Sequence, residues 1–156
     1  MDQKKLIARV ISSSYKHFKY VENILDNVTY QSVILFKDSQ VLCSPNNNYN
    51  GWGDYFYKKE KYKDCVMFEL AKHIFSHRDG TVMWEDIAHN KDSIKLDSER
   101  KKHNIYNGIT LLKKHNSLYT LALTACSSRE VKTNQFYSNV IMSKDNIINN
   151  FIMYLS

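Results

Sequence analysis

The chain is short of the residues that interrupt and divide polypeptides, with one proline and four glycines among 156 residues. Without a Pro- or Gly-rich linker, one domain over residues 1–156 around a single core is expected. Apolar runs are short as well. None approaches the roughly 18 to 20 residues that cross a bilayer, and Met1-Asp2-Gln3-Lys4-Lys5 leads into a polar-interrupted pattern. Neither a membrane span nor a secretion signal is therefore expected. The three cysteines, Cys43, Cys65 and Cys126, are odd in number and lack CxxC spacing. That excludes a disulfide framework and a zinc ribbon, and makes a reducing cytoplasm the expected location.

Motifs that carry chemistry are missing too. GxSxG, HExxH, the P-loop and GxGxxG do not occur, so neither enzymatic activity nor a cofactor is expected. His73 and His77 stand at i and i+4 of a helical pattern and could share an ion. No third ligand has a defined spacing, so no metal site is assigned.

Hydrophobic residues make up 43% of the chain, enough apolar surface to offset the entropy of ordering it. The net charge of +6 could draw the chain to nucleic acid by counterion release. The lysines are dispersed, however, as on a solvated surface, so direct nucleic-acid binding is not expected.

Apolar residues at three- and four-residue intervals between Asp2 and Asn27, among them Leu6, Val10, Phe18 and Val21, predict helix. Ser12-Ser13-Ser14 competes for backbone hydrogen bonds there and leaves one helix or two open. Tyr30–Phe36 and Val41–Cys43 flank the polar Lys37–Gln40 and read as a β-hairpin. A loop over Ser44–Gly51 precedes an aromatic cluster. A helix from Val66 to Phe75 and a short strand at Thr81–Trp84 follow. Polar Asp86–Asn104 reads as an exposed helix. Asn107–Leu112 and Ser117–Cys126 form a second hairpin, whose last strand sets Tyr119, Leu121, Leu123 and Ala125 against Thr120, Ala122 and Thr124. Helical spacing returns in Ile147–Leu155, with Ser143 as its N-cap.

About five strands joined mainly by hairpins imply antiparallel pairing. Helices on both faces would make an α/β (α+β) fold, a three-layer α/β/α sandwich of PAS/GAF-like type. In the aromatic cluster, Trp52, Tyr55, Tyr57 and Tyr62 carry polar tips close to Asp64. Pockets for small organic ligands combine apolar walls with a few placed polar groups, and an ionised Asp64 could accept a ligand N–H. Plain core packing and a ligand cage both remain open, and Asp64 could equally cap the following helix.

Trp52 with its following aromatics, Tyr62-Lys63-Asp64, Met83-Trp84-Glu85-Asp86-Ile87 and Asn107-Gly108-Ile109-Thr110 resemble, in order, the autoinducer-binding domain of LuxR-type transcription regulators. The resemblance spans most of the chain. It implies a sensor with a sheet between helical layers. Trp52 would hold the polar end of an acyl-homoserine lactone and Asp64 would accept from its amide. Trp84 would line the pocket and Gly108 would open a strand. Where the family has a tyrosine this chain has Phe56, so Tyr55 or Tyr57 would take that role, and Cys65 replaces the proline after the aspartate. The family's helix-turn-helix finds no counterpart before Ser156. The expected function is small-molecule sensing, with transcription controlled through a partner or a separate DNA-binding domain. The expected partners are a small ligand, acyl-homoserine-lactone-like or other, or none, and a second copy or a regulatory protein. The alternative is a ligand-free interaction or dimerisation module of the same fold, docking through Ile147–Leu155.

Overall fold

A computed structural model of the chain describes residues 2–70, 79–87 and 90–156. His73 and His77, and the end of the helix expected from Val66, lie outside the described residues. The first element is one continuous helix, α1 (Gln3–Ile24), opened by Asp2, whose carboxylate accepts from the Lys5 N–H at 2.9 Å. The three serines do not break it. Ser12 and Ser14 hydrogen-bond the carbonyls of Arg9 and Val10 on their own helix, and Ser13 reaches across to Tyr154 at 3.2 Å.

Five strands form one sheet, β1 (Val28–Lys37), β2 (Gln40–Cys43), β3 (Gly80–Met83), β4 (Tyr106–His115) and β5 (Tyr119–Ser127). Their order is β2-β1-β5-β4-β3, and every pairing is antiparallel. The turn of the first hairpin is tighter than its polar run suggests. Lys37 pairs with Gln40, which leaves Asp38-Ser39 as the loop, and Asp38 takes a φ of 53°.

The alternation read in β5 is the device that gives the sheet two unlike faces. Tyr119, Leu121, Leu123 and Ala125 join Val33, Leu35, Ile109 and Leu111 beneath α1 and the last helix, α4 (Thr133–Leu155). On the opposite face, Ala122 and Cys126 join Tyr30, Ile34, Phe36 and Leu112 against Trp52, Phe56, Phe68 and Leu96. The α/β/α layering expected from sequence is therefore present.

The helical layers depart from the sequence reading in two places. Ser143 is not a helix start, because α4 begins at Thr133 and buries Phe136, Tyr137 and Val140 in its first turns. Asn107 anchors that start. Its side chain donates to Ser127 Oγ at 2.8 Å and to the Val131 carbonyl at 3.1 Å, and accepts from Thr133 Oγ1 at 2.7 Å. The polar run from Asp86 holds a shorter helix, α3 (Lys91–Lys102), started by an Asn90–Ser93 capping box. It is not wholly exposed, since Ser93, Leu96 and Arg100 form a buried stripe at helical spacing.

Candidate functional site

The second face of the sheet is covered by a segment whose course is set by asparagines. Asn47 ties the chain to β1, accepting from the Gln31 N–H at 3.2 Å and donating to the Thr29 carbonyl at 3.1 Å. Asn46 Oδ1 accepts from Asn48 N–H, and Asn48 Oδ1 from Asp54 N–H at 2.9 Å. Both amide oxygens crowd Gly53 so closely that a Cβ there has no space. The turn delivers Trp52 into the core at 0% exposure, and then a single π-helical turn, Asp54–Lys58.

Such a turn places consecutive aromatics in different directions. Phe56 points inward and is the hub of the cluster. It stacks on Trp52 at 5.7 Å between centroids and meets Tyr57, Tyr62 and Phe68 edge-on at 4.9, 6.4 and 6.3 Å. Tyr57 also faces inward. Tyr55 does not reach the cavity beneath the segment and packs against Trp52 at 5.2 Å and His103 at 6.2 Å. The two tyrosines that could replace the one missing at Phe56 are both half-buried, and Tyr57 is the one that lines this cavity.

Between this segment and the sheet lies a cavity of about 50 Å³. Ile34, Phe56, Met67, Phe68 and Ala122 give it apolar walls, and Tyr30, Ser32, Tyr57, Thr110 and Thr124 give it hydroxyls, with Cys65, Trp84 and Arg100 completing it. The hydroxyls form two groups. The Tyr30 and Tyr57 phenols and the Ser32 hydroxyl stand together on one side. Burial pushes Tyr57 up to about 12 and Tyr30 well above its usual range, so both stay neutral and can donate or accept. On the other side the Trp84 indole N–H donates to Thr110 Oγ1 at 3.0 Å, and that oxygen lies 2.7 Å from Thr124 Oγ1.

Arg100 closes the cavity from α3. Its guanidinium lies 4.8, 5.2 and 5.5 Å from the ring centroids of Trp84, Phe56 and Trp52. Nη2 donates to Cys65 Sγ at 3.2 Å, and Nε finds no partner among the described residues. Trp84 lies flat over Gly108, where any Cβ would run into the indole ring.

Of the residues singled out from sequence, Phe56, Tyr57 and Trp84 line the cavity. Trp52 stands behind Phe56 and Arg100, and Gly108 behind Trp84, one layer out. Tyr62 and Tyr55 are half-buried and border outer depressions. Asp64 is exposed beside Tyr55, Lys61 and Lys95, so indole, phenol and carboxylate do not converge on one hollow. Asp64 does not cap the helix at Val66 either, because Cys65 Sγ accepts from the Phe68 N–H at 3.4 Å.

Sequence reasoning missed Tyr30, Ser32 and Arg100. The first two share the period-2 face of β1 with Ile34, a signal that was available. Arg100 sits in the charged run Asp97-Ser98-Glu99-Arg100-Lys101-Lys102 and had none.

The fold, one antiparallel sheet between helical layers, is similar to that of LuxR-family autoinducer-binding domains. The solved structure of SdiA from Escherichia coli matches with a TM-score of 0.65 at 13% identity, over 91% of this chain and 60% of that one. CepR2 of Burkholderia cenocepacia, an N-acylhomoserine lactone dependent LuxR family transcriptional factor, matches with a TM-score of 0.59 at 10% identity, covering 94% of this chain and 95% of that chain. The LBD domain of VqsR from Pseudomonas aeruginosa matches at 0.54 and 11% identity, over 97% and 94% of the two chains. A second SdiA structure, at 0.55 and 11% identity over 99% and 60%, holds octanoyl-rac-glycerol. The chain thus spans 60% of the SdiA chain. No protein-family model and no curated protein matches the sequence.

Proposed function

We propose that this chain is a single small-molecule-sensing regulatory domain of the cytoplasm, not an enzyme, with its ligand seated between the sheet and the aromatic segment. The observation that carries the reading is the cavity behind Phe56, where apolar walls surround two separate groups of hydroxyls. The ligand class is a short acyl chain with a polar head. Support comes from two fold neighbours, CepR2, which is N-acylhomoserine lactone dependent, and SdiA, solved in complex with octanoyl-rac-glycerol. Phe56, Tyr57 and Trp84 touch the ligand, and Trp52 and Gly108 hold them in place. Tyr55 backs Trp52 and Tyr62 backs Phe56 from outside, and Asp64, exposed beside Lys61 and Lys95, makes no contact with the ligand. Ligand burial stabilises the folded state by mass action and biases contact with a second copy or a regulatory protein, through which transcription is controlled.

One feature favours the alternative, a ligand-free interaction module. A cavity of about 50 Å³ is well below the roughly 300 Å³ at which ordinary ligand pockets begin. Thermal melts with acyl-homoserine lactones, acyl glycerols and fractionated cell extract separate the two. Sensing predicts a raised melting temperature in wild type that is lost in Ala122→Val, which fills the cavity with a residue that favours strands. Unchanged melting of both proteins in every fraction supports the packed module instead.

A further inference from the structure

Arg100 is a buried cation without an anion. It is 3% exposed, and among the described residues no carboxylate lies within ion-pair distance of it. Asp97, one turn earlier on α3, pairs with Lys101 at 3.4 Å instead, and Glu85 is exposed. A guanidinium carries five donors in a rigid fork and stays charged throughout the accessible pH range. Here the partners are one thiol, a weak acceptor, and three aromatic rings. The rings recover part of the lost hydration through cation–π attraction. They leave the charge unneutralised and, among the described residues, Nε without an acceptor, an arrangement that is costly inside a protein.

The same guanidinium lines two spaces at once. Inside it borders the cavity, and outside it borders a depression of about 290 Å³ that it shares with Tyr106, Asn107 and Thr133, with Lys101, and with the carboxylates Glu85 and Asp97. It therefore stands between the hydroxyl-bearing interior and the surface.

We propose that the ligand of this cavity is a carboxylate monoanion with a short apolar tail, seated on the Arg100 guanidinium. The assignment rests on the sensing reading above and names its head group. A carboxylate matches the fork of an arginine in shape, and one negative charge balances one positive charge. A phosphate dianion would leave a second charge buried and unpaired. Tyr57, Thr110 and Thr124 hydroxyls are at hand for the remaining lone pairs, and Ile34, Met67, Phe68 and Ala122 cover the tail. The tail is short because the cavity admits only a few non-hydrogen atoms before Phe56 must move.

The test is thermal melting of the full chain with sodium acetate, butyrate and hexanoate, each against its primary amide and against sodium chloride at equal ionic strength. Butyrate or hexanoate is expected to raise the melting temperature by roughly 5 to 10 °C at about a hundredfold excess over Kd, with amides and chloride inert. Arg100→Met abolishes the shift, and Arg100→Lys, which keeps the charge and loses the fork, weakens binding at least about tenfold. The contrast between carboxylate and amide on wild type stands even if either variant fails to fold. Equal shifts with amide or chloride, or none with any carboxylate, overturn the assignment. Melts with neutral acyl-lactones and extract then decide separately whether sensing itself survives.

Discussion

Gly108 avoids the left-handed region, so its backbone admits any residue; what it lacks is space. The Trp84 indole lies where a Cβ would be, held there by its bond to Thr110. Gly108→Ala is expected to push the ring off β4 and destabilise the protein by roughly 1 to 3 kcal/mol, the usual cost of overpacking. Urea unfolding followed by tryptophan fluorescence measures both effects, and a variant as stable as wild type would contradict this account of the glycine. Gly108 was legible only through its place after Asn107 in a familiar order of residues, and its physical reason was not. Arg100 was not legible at all, because a charged residue within a charged helix gives no sign of facing inward until the sheet supplies something to face. Asp64 was over-read: closeness in sequence to aromatics does not determine on which side of a 3-10 turn a carboxylate emerges.

At the scale of elements, the two long helices were readable wherever apolar spacing persisted, and the misplacement of α4 shows where it failed. Phe136, Tyr137 and Val140 already follow helical spacing, but the polar residues around Ser143 resemble a start when only the later half is weighed. The α1–α4 layer contains a histidine in apolar surroundings. His17 on α1 is 1% exposed and meets Phe151 of α4 at 5.0 Å, and burial lowers it from 6.5 to about 4. Below pH 6.5 the unfolded chain takes up a proton that the folded chain refuses until about pH 4, so stability falls as pH drops through that window. The full effect is about 3 kcal/mol. Urea unfolding of wild type and His17→Leu between pH 7 and 4 isolates it. The variant is expected to show the shallower slope, and parallel slopes would assign the acid sensitivity to other groups.

For the whole molecule, alternation in β5 and two hairpins were enough to give an antiparallel sheet with unlike faces, because period-2 patterning survives without knowledge of what covers each face. The cavity was only half legible. Its sheet wall, Ala122 and Thr124, lies in that same alternation, whereas its lid depends on a π-helical turn that brings Phe56 and Tyr57, but not Tyr55, to the cavity, which no short-range pattern announces. The central claim is that a small guest enters this space. Methyl NMR during titration with the compound that most raises the melting temperature tests it at the site. Saturable shifts are expected at Ile34, Met67 and Ala122, with the exposed Met142 and Met153 unchanged. Shifts confined to exposed methyls, or none at saturating ligand, would contradict it.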